Sequence, residues 1–108
     1  MNITFEDFEK IEIKIGKVKS AEKIPDADKL LKLIFDFGDE ERQVLSAIAL
    51  SYPDPSVLVG KEIPVITNLE PRTIRGYESA GMIMALGNED DVVLLQPDRE
   101  VPPGTIVK

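Results

Sequence analysis

The chain contains no cysteine and no histidine. Disulfides, thiol nucleophiles, imidazole bases and the usual zinc ligand sets are therefore excluded. Catalysis would have to rest on carboxylates, Lys, Tyr or Ser, and no such pair stands in a distinctive pattern; Tyr77-Glu78-Ser79 is only a local cluster. The expectation is a protein that is not an enzyme and carries no cofactor. Long apolar runs are missing too: Met82 to Leu86 is the longest, far short of the ~20 residues that span a bilayer. Met1-Asn2-Ile3-Thr4-Phe5-Glu6-Asp7 has neither a basic opening nor an apolar core, so no signal peptide and a cytoplasmic location are expected.

What is present fits a folded globular chain. Its 108 residues are 43% hydrophobic and 31% charged, enough for one compact domain over 1–108 and one core. Net charge is −7, from thirteen basic and twenty acidic residues. The basic residues are unevenly spread. Seven lysines face seven acids in 1–35, while 36–70 holds two basic against seven acidic residues. Any positive face must be local. The acidic run Gly38-Asp39-Glu40-Glu41 reads as a solvated hairpin turn, since it lacks the spacing of a calcium loop.

The patterning is that of strands. Thr4 is a candidate N-cap for a short helix through Lys10, with Phe5 and Phe8 packing it on one end of the fold. Ile11, Ile13 and Ile15 alternate with Glu12 and Lys14. The phase flips after Gly16, where a bulge is expected, so that Ile11, Ile13, Ile15 and Val18 line the core and Glu12, Lys14, Lys17 and Lys19 share the outside. Pro25 and two aspartates mark a turn, after which Leu31, Leu33, Phe35 and Phe37 alternate, with Lys32 on the outer face near Lys14. A third strand is expected over 42–48, and a short helical connection over 51–60. A fourth strand over 61–68 carries Pro64, which suggests an edge or bulged position. Met82 to Leu86 reads as a strand covered on both faces, followed by a turn at 87–91 and a strand from Val92.

Between these lies Asn68-Leu69-Glu70-Pro71-Arg72-Thr73-Ile74-Arg75-Gly76-Tyr77-Glu78-Ser79-Ala80-Gly81-Met82. Arginine suits phosphate forks and stacking on planar rings. Arg72 and Arg75 are three apart and would face opposite ways in a regular strand, so joint action on one ligand requires a turn. Ser79 could equally satisfy its own backbone, and Met82 could be core with Met84.

This order of residues resembles the signature of the tRNA-binding domain found in free-standing dimeric tRNA-binding proteins and at the C-terminus of many methionyl-tRNA synthetases. Lys23 to Leu30 is similar to a turn of the same family, with Ile24 where His is usual, and Lys14 stands where Arg is common. The resemblance implies an all-β, five-stranded Greek-key oligonucleotide-binding (OB) barrel with short helices, gripping the outer corner of tRNA by shape. It also implies a homodimer, and possible association with a methionyl-tRNA synthetase catalytic chain. RNA contacts are then expected from Lys14, Lys17, Lys32, Ser46, Asn68, Arg72, Arg75, Ser79 and Met82. Lysines would supply charge, arginines forks or stacking, Asn68 and Ser79 hydrogen bonds to sugar or base edges, and Met82 packing on a base. Phe5 to Lys10 and Pro97 to Pro102 also resemble the secretion-chaperone branch of this fold, which leaves a protein-binding dimer as the rival reading.

Overall fold

The computed structural model describes residues 1–88 and 90–108; Glu89, inside the turn expected at 87–91, lies outside the described residues. The chain opens with α1 (Phe5–Glu9), started by a reciprocal cap between Thr4 and Asp7. Among the described residues nine strands follow: β1 (Ile13–Ile24), β2 (Ala27–Asp36), β3 (Glu41–Ser46), β4 (Glu62–Ile66), β5 (Arg72–Ile74), β6 (Tyr77–Ser79), β7 (Met82–Ile83), β8 (Ala85–Asn88) and β9 (Asp91–Leu94). The connection from β3 to β4 holds a 3₁₀ turn, Pro55–Leu58, capped by Asp54.

Five strands form one antiparallel sheet in the order β3-β2-β1-β4-β7. It closes on itself because Ala80 N–H donates to the Gln43 carbonyl on the free edge of β3. The result is the expected OB barrel. Inside it Val18, Leu31, Leu33, Phe35, Val44, Leu58, Ile63 and Val65 are buried together. Two hairpins, β5–β6 and β8–β9, are appended.

β1 departs from the expectation. Its register with β4 runs unbroken through Gly16; the shift falls instead between Val18 and Ser20, against β2. The apolar phase flips because this strand buries both faces. A Cβ on Gly16 would lie 2.8 Å from the Phe35 ring and 2.9 Å from that of Phe37, so Gly16 and Val18 face the interior. Alternation then puts Lys14 on that inner side, and Ile13, Ile15 and Lys17 on the other. Ile13 and Ile15 are nonetheless buried, whereas Ile11 is exposed.

A strap near the C-terminus completes the edge of β1 beside Ile13 and Ile15. Ile15 donates to the Thr105 carbonyl and accepts from Gly104, while Val107 donates to Ile13, so residues 104–107 line the edge of β1 that β2 leaves open. Val101 N–H is held by the Glu62 carboxylate at 2.8 Å, and that side chain is only 7% exposed. The same geometry corrects the expectation for Pro64. β4 is interior, between β1 and β7, but Pro64 stands opposite Ile15, whose backbone groups both turn to the strap. In such a non-hydrogen-bonded pair the missing N–H breaks no bond between the two strands.

Two apolar surfaces expected to be covered are open within this chain. α1 buries none of its residues, and Phe5 is 73% exposed. β8 is exposed along its length, and Leu86 and Val93, directly opposed across the β8–β9 hairpin, are 52% and 50% exposed.

Candidate nucleic-acid interface

The fifteen-residue segment leaves β4 at Thr67, makes the β5–β6 hairpin and re-enters the sheet at β7. Ile74 pairs with Tyr77, so Arg75 and Gly76 form a two-residue turn, with φ of 54° and 83°. Two positive φ values define a type I′ turn, which matches strand twist and favours Asn-Gly. An arginine in that first position runs against local preference, since left-handed backbone costs a residue with a Cβ about 1 kcal/mol or more. Ile74 and Tyr77 anchor the hairpin on a small cluster of Ile24, Ala27 and Leu45, with Leu30 beside it. Ile24, standing where the family has His, is thus core.

The hairpin puts its two arginines in different places. Arg72 lines a depression of about 350 Å³ together with Leu69, Glu70, Ser79, Gly81 and Met82. Arg75 sits at the tip and lines a second depression with Asp26 of the β1–β2 turn and Asp28 of β2. Among the described residues neither guanidinium has an ion pair or hydrogen bond. Met82 is 48% exposed, so it is not core, and its thioether forms part of the wall beside Arg72.

The other expected contact residues are less free. Lys14 pairs with Glu12 at 3.6 Å, Lys17 with Glu100, just before the strap, at 3.7 Å, and Lys32 with Glu22 at 3.6 Å. Lys32 also lies 5.6 Å from the centre of the Tyr77 ring. Lys14 and Lys17 leave opposite faces of β1, and the partners of Lys32 are Glu22 and Tyr77, so the three do not make the single outer face expected of them. Ser46 lies in a separate depression with Ala47, Ile83, Leu86 and Asn88.

Asn68 and Ser79 are committed to the protein's own backbone. The Asn68 side chain accepts from Glu12 N–H at 2.8 Å and donates to the Lys10 carbonyl at 2.6 Å. The buried Ser79 hydroxyl accepts from Leu45 N–H at 3.0 Å, replacing a ladder bond on the edge of β3. The Ser79 hydroxyl also donates to the Gly81 carbonyl at 3.4 Å, the local use the sequence left open. Sequence spacing gave no sign of the Asn68 contacts or of the Leu45 bond, whose partners lie 34 residues or more away in the chain. Reasoning from the sequence also missed Thr67 and Arg42. Arg42 donates to the Thr67 carbonyl and pairs with Glu40, and the Thr67 hydroxyl donates to the Glu12 carboxylate at 2.6 Å.

That hydroxyl is the main reason the Glu12 carboxyl is held below its ordinary pKa; Lys14 and Arg42 add to it, against some desolvation. A lowered carboxyl contributes stability above the ordinary carboxylate pKa and loses it as pH falls through the lowered one. Thr67→Val should therefore raise the Glu12 titration midpoint toward the ordinary value. Carboxyl-detected NMR titration checks this, and an unmoved midpoint would assign the shift to the lysine instead.

A closed five-stranded barrel, with a basic hairpin between its fourth and last sheet strands, is the architecture of an oligonucleotide-binding module. Residues 13–106 match the family described as "Putative tRNA binding domain". The chain belongs to this tRNA-binding domain family. It is 50% identical over 105 residues to a methionine–tRNA ligase of Archaeoglobus fulgidus, covering 97% of this chain but 16% of that protein. Among solved structures, a MetRS related protein from Pyrococcus horikoshii superposes with a TM-score of 0.92 at 41% identity, covering 100% of this chain and 99% of that one. The chaperone CsaA of Bacillus anthracis superposes with a TM-score of 0.90 at 33% identity, covering both chains fully. Among the described residues no helix is long and apolar enough to cross a membrane.

Proposed function

We propose that this chain is a non-catalytic module that holds the outer corner of tRNA and supports aminoacylation, as a domain of methionyl-tRNA synthetase or in trans to its catalytic chain in the cytoplasm. The observation that carries this is the pair of guanidiniums on the β5–β6 hairpin, both without a partner among the described residues, one of them beside an apolar depression walled by Leu69 and Met82. Phosphates pair with such forks, and an unstacked base can lie against a thioether and a guanidinium plane. Lys14 and Lys32 add charge only by exchanging an internal carboxylate for phosphate. Ser46 and Lys17 are peripheral, and Ser79 shapes the site from beneath.

The exposed Phe5, Phe8, Leu86 and Val93 support a homodimer, which would present two RNA faces and raise effective concentration. They also favour the rival reading, a protein-binding dimer like the chaperone neighbour. Titration of bulk tRNA over a salt series separates the two. With two to four phosphates neutralised at about 0.7–0.9 in slope each, log K should fall against log salt with a slope of roughly −1.5 to −3.5. Absence of a tRNA complex at low salt, with salt-independent capture of unfolded polypeptide, would sink the RNA reading.

A further inference from the structure

We infer that Asn68, the first residue beyond Thr67 at the exit of β4, is a positioning residue through which the N-terminal segment sets the geometry of the RNA site. This inference rests on the tRNA reading above. α1 buries none of its own residues, so packing within the chain contributes little to its placement. Its C-cap is Lys10, whose carbonyl is one of those a helix end leaves without an intrahelical partner. The Asn68 amide supplies that partner and in the same stroke receives Glu12 N–H.

The neighbouring residue repeats the tie. Thr67 N–H donates to the Glu12 carbonyl at 2.9 Å, and its hydroxyl reaches the Glu12 carboxylate. Two consecutive hinge residues are therefore fastened to residues 10–12, just where the chain leaves the barrel for Arg72. Between β6 and β7 the return path is fixed independently, by Ala80 on Gln43 and Ser79 on Leu45. The approach to the hairpin, at residues 67–68, is thus held by the N-terminal segment, its tip by the cluster under Ile74 and Tyr77, and its exit strand by β3. Loosening the first leaves the guanidiniums in place chemically but spreads their positions, which lowers affinity without removing a phosphate contact. By linkage, tRNA must tighten the same clamp by the factor that the clamp tightens tRNA binding.

Three versions of the whole chain test this: wild type, Asn68→Ala and Asn68→Asp. Each is checked for folding by thermal melt, titrated with bulk tRNA across a salt series, and followed by amide exchange at Glu12 with and without tRNA. We expect Asn68→Ala to bind about five- to fifty-fold more weakly, with a salt slope parallel to wild type. Asn68→Asp keeps the acceptor for Glu12 N–H and should bind better than the alanine variant. In wild type, tRNA should raise protection of the Glu12 amide.

A direct RNA contact by Asn68 gives the opposite pattern: a carboxylate near phosphate makes Asn68→Asp the weakest binder, and tRNA lowers Glu12 protection. Unchanged protection with equal tRNA affinity in all three proteins would reduce Asn68 to a stabilising residue. Either result overturns the inference while the tRNA reading stands. If wild type itself forms no tRNA complex, both fall together.

Discussion

A protein carrying Arg72→Ala and Arg75→Asn should bind bulk tRNA at least ~100-fold more weakly than wild type, since a charged hydrogen bond contributes about 1.5–3 kcal/mol and 1.4 kcal/mol is tenfold. Its log K against log salt should also be flatter by about 1.5, because two phosphates are no longer neutralised. The choice of asparagine at 75 matters. That position has φ 54° and precedes Gly76 at φ 83°, so Asn-Gly suits the type I′ turn better than the native pair. The hairpin is kept or strengthened while the cation is lost, so weaker binding cannot be blamed on an unfolded loop. Filter binding at four or more salt concentrations supplies both numbers. An unchanged slope would mean that these arginines do not meet phosphate.

Phe35→Ala should cost the barrel far more stability than the loss of any surface contact. The ring is fully buried, lies 5.9 Å from the Phe37 ring centre to centre, and fills the space left by the missing side chain of Gly16. Truncation of such a ring costs about 3–5 kcal/mol, because neighbours collapse only partly into the void. For a domain of this size that is a fall in melting temperature on the order of 15–25 °C. Differential scanning calorimetry measures it. A fall under about 5 °C would mean that Phe37 swings in to fill the space. The protein that remains folded should keep the wild-type salt slope for tRNA, since no cation has been touched.

The sequence reveals the strands well where one face of a strand is wet. Leu31, Leu33 and Phe35 alternate with Lys32 and Ile34, and all three apolar residues are in the core. The cap at Thr4 and the 3₁₀ turn after Pro55 are also legible, because their side-chain partners are two or three residues away. β1 misleads because it has buried residues on both faces, and its open edge is completed by a strap from far along the chain. α1 and the β8–β9 hairpin are expected to be covered, and within one copy of the chain they are not.

At the site, Arg72 and Arg75 stand out from residue type alone. Two features do not: the strained turn that carries Arg75, and the capture of Asn68 and Ser79 by distant backbone groups. A side-chain amide reads the same in sequence whether it awaits a ligand or closes a helix end. Lys14, Lys17 and Lys32 look like one basic face for a similar reason: periodicity cannot say which lysine already holds a carboxylate, Glu12 for Lys14, Glu100 for Lys17 and, across the sheet, Glu22 for Lys32.

Because residues 104–107 complete the open edge of β1, the first long strand of this barrel to leave the ribosome is the last to be finished. Until those residues emerge, the backbone groups of Ile13 and Ile15 that bond to them stay available to any neighbouring chain. Assembly of the barrel is therefore gated by the emergence of the strap, and nascent polypeptides stalled short of it should be the species most prone to associate.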